Sequence, residues 1–144
     1  MSNPKERWPQ QIKYIVGNEA CERFSFYGMQ SILAVYISST VLDGGLGKTG
    51  DEATSIIHWF KAFNYFTPLL GAWLSDKLFG RYRTILWVSL LYCVGHGVLA
   101  CSDYVGDAHG KLLLLYLGLV LIGLGAGGIK PCVSAFMGDQ FAAD

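Results

Sequence analysis

Charge-free runs divide the chain into segments that are long enough to cross a lipid bilayer. Three runs of 18 or 19 residues contain no Asp, Glu, Lys or Arg: 24–42, 84–102 and 112–129. A fourth run, 53–75, is interrupted only by Lys61 and contains Pro68. Because about 20 apolar residues in a helix span the hydrocarbon core, the pattern predicts four membrane helices. We place these helices at about 12–42, 53–76, 84–102 and 111–137.

Short polar segments flank the predicted helices. The stretches VLDGGLGKTGDE (41–52) and SDYVGDAHGK (102–111) are rich in Gly and Asp, which is typical of loops. The first ten residues are polar and lead into Lys13, not into a short apolar core with a cleavage site. We therefore expect the first helix to be a permanent anchor and not a removable signal peptide.

The composition favours a lipid environment. Hydrophobic residues make up 52% of the chain and charged residues 15%, with a mean hydropathy of +0.36, a balance typical of membrane proteins. The 11 basic and 11 acidic residues cancel, so no basic surface predicts a nucleic-acid partner. The cysteines lie in or beside apolar runs without metal-binding spacing, and we expect buried, inert thiols and no metal: Cys21, Cys93, Cys101 and Cys132.

The distribution of basic residues predicts the orientation of the chain in the membrane. With a cytoplasmic N-terminus, six Lys and Arg residues fall in cytoplasmic segments and two in outer loops, in agreement with the positive-inside rule. The cytoplasmic set is Lys5, Arg7, Lys13, Lys77, Arg81 and Arg83, and the outer set is Lys48 and Lys111. We expect a multi-pass protein of the bacterial inner (plasma) membrane.

A polar stripe runs along the first predicted helix. At 100° per residue, six side chains fall within about 140° of one another: Glu19, Glu22, Arg23, Phe26, Tyr27 and Gln30. Glu19 and Arg23 form an i, i+4 pair in the favourable order. Alternatively, 24–42 alone spans the bilayer and the charged side chains snorkel to the headgroups. This helix by itself leaves both interpretations open.

Two other helices also carry polar residues. Lys130 follows the small-residue run GLGAGG and precedes Pro131, at a depth similar to the charges of the first helix. In the second helix, His58, Lys61 and Tyr65 share one face. His58 is either a structural residue or a proton carrier. Lys61 either faces the interior of the protein or snorkels to the outer surface. His96, in the third helix, has no charged companion and is interpreted as structural.

The number of ions in these helices predicts an internal polar cavity. Five charged side chains lie within or beside the predicted spans: Glu19, Glu22, Arg23, Lys61 and Lys130. If all five faced lipid, the cost would be roughly 12 to 18 kcal/mol, which is as large as the whole stability of a domain. A cavity that holds carboxylates beside cations responds to protons, because both burial and a neighbouring cation affect the ionisation of a glutamate.

Three separate stretches resemble the proton-dependent oligopeptide transporter (POT/PTR) family of the major facilitator superfamily. EACERFSFYG (19–28) is similar to the first-helix motif of that family, GAWLSDKLFGRYRTI (71–85) to its form of the superfamily signature, and GIKPCVSAFMGDQF (128–141) to its fourth-helix block. The spacing between Asp76 and Gly80 is one residue longer than in the generic superfamily pattern, as in peptide transporters. Phe26 stands where many members have tyrosine. The resemblance covers nearly the whole chain.

The resemblance implies roles for individual residues. The residues implied in proton coupling are Glu19, Glu22, Arg23, Lys130 and His58. The residues implied in substrate binding are Arg23, Tyr27, Tyr65 and Lys130, with Arg23 and Lys130 holding the carboxylate of the peptide. The residues implied in the cytoplasmic gate and topology motif are Asp76, Gly80, Arg81 and Arg83.

The resemblance also implies a fold and a function for the whole protein. The chain would be an all-α membrane protein comprising the first four transmembrane helices of an N-terminal six-helix bundle, with the C-terminal bundle absent from this chain. The expected function is proton-coupled symport of di- and tripeptides by alternating access, with protons as the coupling ion, no other cofactor and no enzymatic activity. Alternatives are symport of nitrate or another small anion, and a non-transporting helical fragment. A membrane hydrolase is disfavoured, because no nucleophile or metal-ligand set accompanies Glu19 and Glu22.

Overall fold

The computed structural model describes residues 9–142, and its regular elements in that range are helical. Four α-helices follow one another: α1 (Ile12–Ser38), α2 (Gly50–Leu74), α3 (Arg81–Cys101) and α4 (Ala108–Ala142). A π-helical turn, Ser75–Phe79, extends α2, and two 3₁₀ turns, Val41–Asp43 and Ser102–Tyr104, lie in the other connections.

The α1–α2 connection moves both adjoining helix ends from their predicted positions. α1 ends at Ser38 and not near residue 42, because Thr40 accepts a hydrogen bond from the Asp43 amide and starts a 3₁₀ turn. α2 begins at Gly50, three residues earlier than predicted, because Thr49 and Glu52 form a reciprocal capping box. The Thr49 amide, which donates to Glu52, holds the pKa of that exposed carboxyl below its usual value. This cap therefore persists until the pH falls through the lowered pKa.

The other two helices are longer than predicted. α3 starts at Arg81 instead of near residue 84, directly after Gly80, whose φ of +74° is a conformation that glycine adopts most readily. α4 starts at Ala108 and runs to Ala142, past its predicted end near residue 137. Pro131 lies within α4 without ending it.

Close backbone contacts with α4 hold α2 and α3 in place. A Cβ atom added to Gly71 of α2 would lie 2.5 Å from the Cα of Gly128 in α4. One added to Gly95 of α3 would lie 2.8 Å from the amide nitrogen of Ile122. Small residues allow helix backbones to approach this closely in membranes. The run GLGAGG thus serves the packing role that its composition predicts.

α1 joins the bundle through an apolar face. Phe26, Met29, Leu33 and Ile37 are buried at helical spacing. They belong to one core cluster with Ile56 and Phe60 of α2 and with Leu115, Leu119, Ile122 and Ala126 of α4. The same side of α1 carries Glu22, so the core of the bundle and the charged residues are adjacent.

Two of the described helical stretches are long and apolar enough to cross a membrane by length and composition: Arg81–Tyr104 and Ala108–Gln140. α1 and α2 were also predicted to span. They carry more charge per residue than α3 and α4, and the burial of Glu22 and Asn64 shows that part of this polarity faces protein.

Adding a methyl group at Gly71 should destabilise the bundle. We expect Gly71→Ala to lower the free energy of unfolding by about 1 to 3 kcal/mol, the usual cost of overpacking, because the facing atoms are backbone. The control is Gly97→Ala in α3, since a Cβ atom there meets nothing within 4 Å. Thermal unfolding in detergent measures both variants. Equal melting temperatures for the two would contradict the close α2–α4 contact.

Candidate functional site

Arg23 lies between two carboxylates on α1. Its Nη2 atom is 3.3 Å from Oε1 of Glu19, one helical turn earlier, and its Nε atom is 3.5 Å from Oε2 of Glu22. The side chain of Glu22 is only 5% exposed, whereas those of Arg23 and Glu19 are 31% and 34% exposed. The predicted charged triplet therefore exists as a linked set with one buried member.

The Glu22 carboxylate is the least satisfied group of this set. Neither of its oxygens accepts a hydrogen bond from the described residues, since the 3.5 Å approach of Arg23 is an ion pair without hydrogen-bond geometry. A buried charge without hydrogen bonds is costly. Glu22 is therefore the group with most to gain from a proton or from an approaching cation.

Contacts from α3 fix the turn of α1 that carries Glu22. The Tyr92 hydroxyl donates a hydrogen bond of 3.1 Å to the backbone oxygen of Glu22. One turn further along α3, His96 Nε2 lies 3.1 Å from the Ser25 hydroxyl. These polar contacts between α1 and α3 were not predicted, because sequence spacing does not show which faces of two helices meet.

Lys130 reaches the same region from α4 but forms no ion pair within 4.0 Å among the described residues. Its Nζ atom lies 5.8 Å from the ring centroid of Phe26, as a cation over an aromatic ring. Phe26 in turn stacks on Phe60 of α2, with ring centroids 5.9 Å apart. Lys130 is close enough for the charges of Arg23, Glu22 and Glu19 to act on it. Lys130 thus lies near the charged triplet, as its predicted depth implied, without a salt bridge to a glutamate in this conformation.

The predicted residues of α2 lie outside this cluster. His58, Lys61 and Tyr65 are all exposed on the four-helix bundle, Tyr65 to 85%. Lys61 lines a groove of about 380 Å³ between α1 and α2 together with Tyr27 and Gln30. The structure therefore brings Tyr27 near Lys61, while His58 and Tyr65 are not brought to the charged triplet.

The predicted gate motif connects the α2–α3 turn to the end of α4. Asp76 is exposed in the π-helical turn, and Gly80 separates that turn from α3. Arg81 donates a hydrogen bond to Asp139 of α4, whereas Arg83 is exposed. The role of Asp139 was missed. The sequence contained a signal for this pair, because Asp139 of GIKPCVSAFMGDQF is predicted to lie on the same side of the membrane as Arg81.

Metal binding has no support in the part of the chain that the structure describes, where no three His, Cys, Asp or Glu residues are grouped to hold an ion. Cys132 is buried and the other three cysteines are exposed, so the expectation of burial holds for one thiol only. In the four-helix bundle, Cys21, Cys93 and Cys101 lie on outward faces of α1 and α3.

Comparisons with protein families and curated proteins agree with one another. A family model described as PTR2, POT family, matches residues 82–144. Peptide transporter family 2 of Caenorhabditis elegans is 46% identical over 140 residues, 96% of this chain and 17% of the relative. Human solute carrier family 15 member 2 is 45% identical over 136 residues, 93% of this chain and 18% of the relative. The chain spans about a fifth of the length of these curated relatives.

Solved structures share the helix arrangement. The crystal structure of the POT family transporter PepTSo is 48% identical, with a TM-score of 0.79, and the match covers 92% of this chain and 25% of that one. A crystal structure of peptide transporter POT in complex with alafosfalin is 31% identical, with a TM-score of 0.81, covering 93% and 28%. These matches confirm the predicted all-α fold of a major facilitator superfamily transporter for the four helices.

Removing the Tyr92 hydroxyl should loosen α1. We expect Tyr92→Phe to lower the free energy of unfolding by about 1 kcal/mol, because the hydrogen bond to the Glu22 backbone is lost. Tyr104→Phe is the matched control, since that side chain is 91% exposed. Thermal unfolding in detergent compares the two variants. A Tyr92→Phe variant as stable as its control would contradict the α1–α3 contact.

Proposed function

The chain belongs to the POT family, and we propose from this premise that it forms part of a transporter that moves di- and tripeptides together with protons across a membrane. Its relatives named above are transporters and include proteins named for peptides. Integral membrane transport, and not catalysis, is therefore the class of function that we assign.

The arrangement of Glu22, Arg23 and Lys130 is the observation that carries this proposal. A buried carboxylate that accepts no hydrogen bond from residues 9–142 lies beside one cation and within the electrostatic range of a second. When Glu22 takes a proton, its attraction for both cations is lost. Arg23 and Lys130 then become available for the carboxylate of a peptide.

A cation that changes partner provides coupling between the proton and the peptide. With Glu22 ionised, Arg23 is paired with the glutamates and Lys130 lies within their electrostatic range, so a peptide carboxylate must compete for both cations. With Glu22 neutral, the peptide carboxylate is the stronger partner. Proton and peptide thus favour each other's binding, as the reciprocity of linked equilibria requires. The groove that Tyr27 and Lys61 line begins one helical turn after Arg23 on α1, and we assign it to the peptide side chains.

The orientation and the gate complete the proposal. We propose a cytoplasmic N-terminus in a bacterial inner (plasma) membrane, and the excess of basic residues in 1–13 and 77–83 supports this orientation. The Arg81–Asp139 pair would then lie at the cytoplasmic end of α3 and α4. We propose that it keeps these helix ends together while the bundle rocks about the central site.

Uptake of a labelled dipeptide tests this function. The proteoliposomes contain the longest protein that the gene of this chain encodes. We expect Glu22→Gln to reduce uptake driven by an inward proton gradient at least tenfold and to leave peptide counterflow active, because the variant cannot take up a proton. We expect Lys130→Ala to weaken both, since a partner for the peptide carboxylate is lost.

Matched controls are Asp51→Asn and Lys13→Ala, which change exposed residues outside the site. Both should transport as the parent does. Uptake driven by the gradient that is unchanged in Glu22→Gln and in Lys130→Ala would contradict the mechanism. Competition by nitrate, in place of di- and tripeptides, would assign the small-anion alternative instead.

A further inference from the structure

His96 occupies a defined position between α1 and α3 that the mechanism above does not use. Its Nδ1 atom lies 3.2 Å from the backbone oxygen of Tyr92, and its Nε2 atom lies 3.1 Å from the Ser25 hydroxyl. The rings of His96 and Tyr92 are 4.5 Å apart between centroids. The imidazole therefore contacts Tyr92, whose hydroxyl donates to the Glu22 backbone, and Ser25 of α1, the helix that carries Glu22.

The two partners determine the tautomer of a neutral His96. A backbone oxygen can only accept, so the Tyr92 contact requires a proton on Nδ1. Nε2 of the neutral ring then has a free lone pair and accepts from the Ser25 hydroxyl. In this state the hydroxyl hydrogen of Ser25 is directed towards α3.

A second proton on His96 reverses the bond to Ser25. Both ring nitrogens of a histidinium are donors, so Nε2 must donate to the Ser25 oxygen. The Ser25 hydroxyl hydrogen then needs another acceptor. Serine in a helix donates to the backbone oxygen three or four residues earlier, which here belongs to Glu22 or Cys21. The Glu22 backbone oxygen already accepts from Tyr92.

A cavity gives His96 a route for protons that is separate from the charged triplet. About 720 Å³ of space lies between α1, α3 and the α1–α2 connection, with His96 at its lining. Asp43 and Asp103, both from the connecting segments, line the same cavity. With the N-terminus in the cytoplasm, these two carboxylates lie towards the outer surface.

The charges that surround His96 come from several elements. On α1, Glu22 and Arg23 are within one turn of Ser25, and on α3 itself Tyr92 is in ring contact. Asp43 and Asp103 line the same cavity as the ring. α4 meets α3 at this level through glycines and aliphatic side chains, Gly118 and Ile122 among them, and its lysines, Lys111 and Lys130, lie towards the two ends.

We propose that His96 is a second proton-linked residue of this protein, which positions α1 by reversing its hydrogen bond with Ser25. The inference rests on the proposed function for its effect on transport, but its hydrogen-bond chemistry does not. Protonation from the outer side moves the Ser25 hydroxyl hydrogen onto the α1 backbone at Glu22 or Cys21. This exchange alters the turn that carries Glu22 and Arg23 and so couples outer pH to the charged triplet.

Transport as a function of outer pH tests the coupling. Histidine changes charge between about pH 5 and 8, whereas glutamine keeps hydrogen-bonding atoms but does not titrate. We expect His96→Gln to flatten the dependence of dipeptide uptake on outer pH in that interval by about fivefold, the lower range of coupling between sites. Ser25→Ala should flatten it similarly, and the double variant should add nothing.

The matched control is His109→Gln, which replaces an exposed histidine at the start of α4 and should keep the parental profile. Nitrogen NMR of the labelled imidazoles provides a readout that does not need transport. We expect neutral His96 to carry its proton on Nδ1 and its nitrogen resonances, followed across pH, to change in Ser25→Ala but not in His109→Gln.

Each outcome decides the inference. A pH profile that His96→Gln and Ser25→Ala leave unchanged would overturn it, as would a neutral His96 protonated on Nε2. A parent protein without uptake driven by a proton gradient would refute the proposed function alone, and the NMR titration would then decide whether His96 and Ser25 are linked. If the His96→Gln variant does not fold, Ser25→Ala and the NMR spectra of the parent protein test the inference.

Discussion

The ion pairs that Arg23 makes with Glu19 and Glu22 constrain the rest of the structure, because charges inside an apolar helix must not face lipid. Each such ion facing lipid costs roughly 2.5 to 3.5 kcal/mol. α1 avoids part of this cost by turning Glu22 towards the bundle, beside Phe26 and the Tyr92 hydroxyl. The burial that protects the carboxylate also deprives it of hydrogen bonds, which makes it responsive to protons and cations.

The glycines of α4 make this arrangement possible. Backbone contacts at Gly71 and Gly95 draw α2 and α3 onto α4, and α1 then packs across the resulting surface through Phe26 and its apolar neighbours. Lys130 emerges from the same helix just after the glycines, so its ammonium reaches the Phe26 ring. The small residues of α4 therefore affect both how closely the helices pack and where the Lys130 ammonium lies.

Hydrophobic periodicity and motif spacing were sufficient to predict four helices, the linked triplet and the proximity of Lys130 to the first helix. Helix ends were less predictable, since the capping box at Thr49 and the positive φ of Gly80 depend on local hydrogen bonds and backbone geometry. The contacts that Asp139 makes with Arg81 and that His96 makes with Ser25 were not predicted, because each partner is far away in sequence. Periodicity predicts on which face of its own helix a side chain lies, but tertiary packing decides which face of a neighbouring helix it contacts.

A double-mutant cycle on Glu22 and Lys130 measures the central claim most directly, with peptide affinity as the readout at low ionic strength. The account predicts that the effects of Glu22→Gln and Lys130→Gln are coupled by more than about 0.5 kcal/mol, because the two charges share one site. Additive effects, within the roughly 0.3 to 0.5 kcal/mol expected of independent positions, would show that the charges of α1 and α4 do not act on each other.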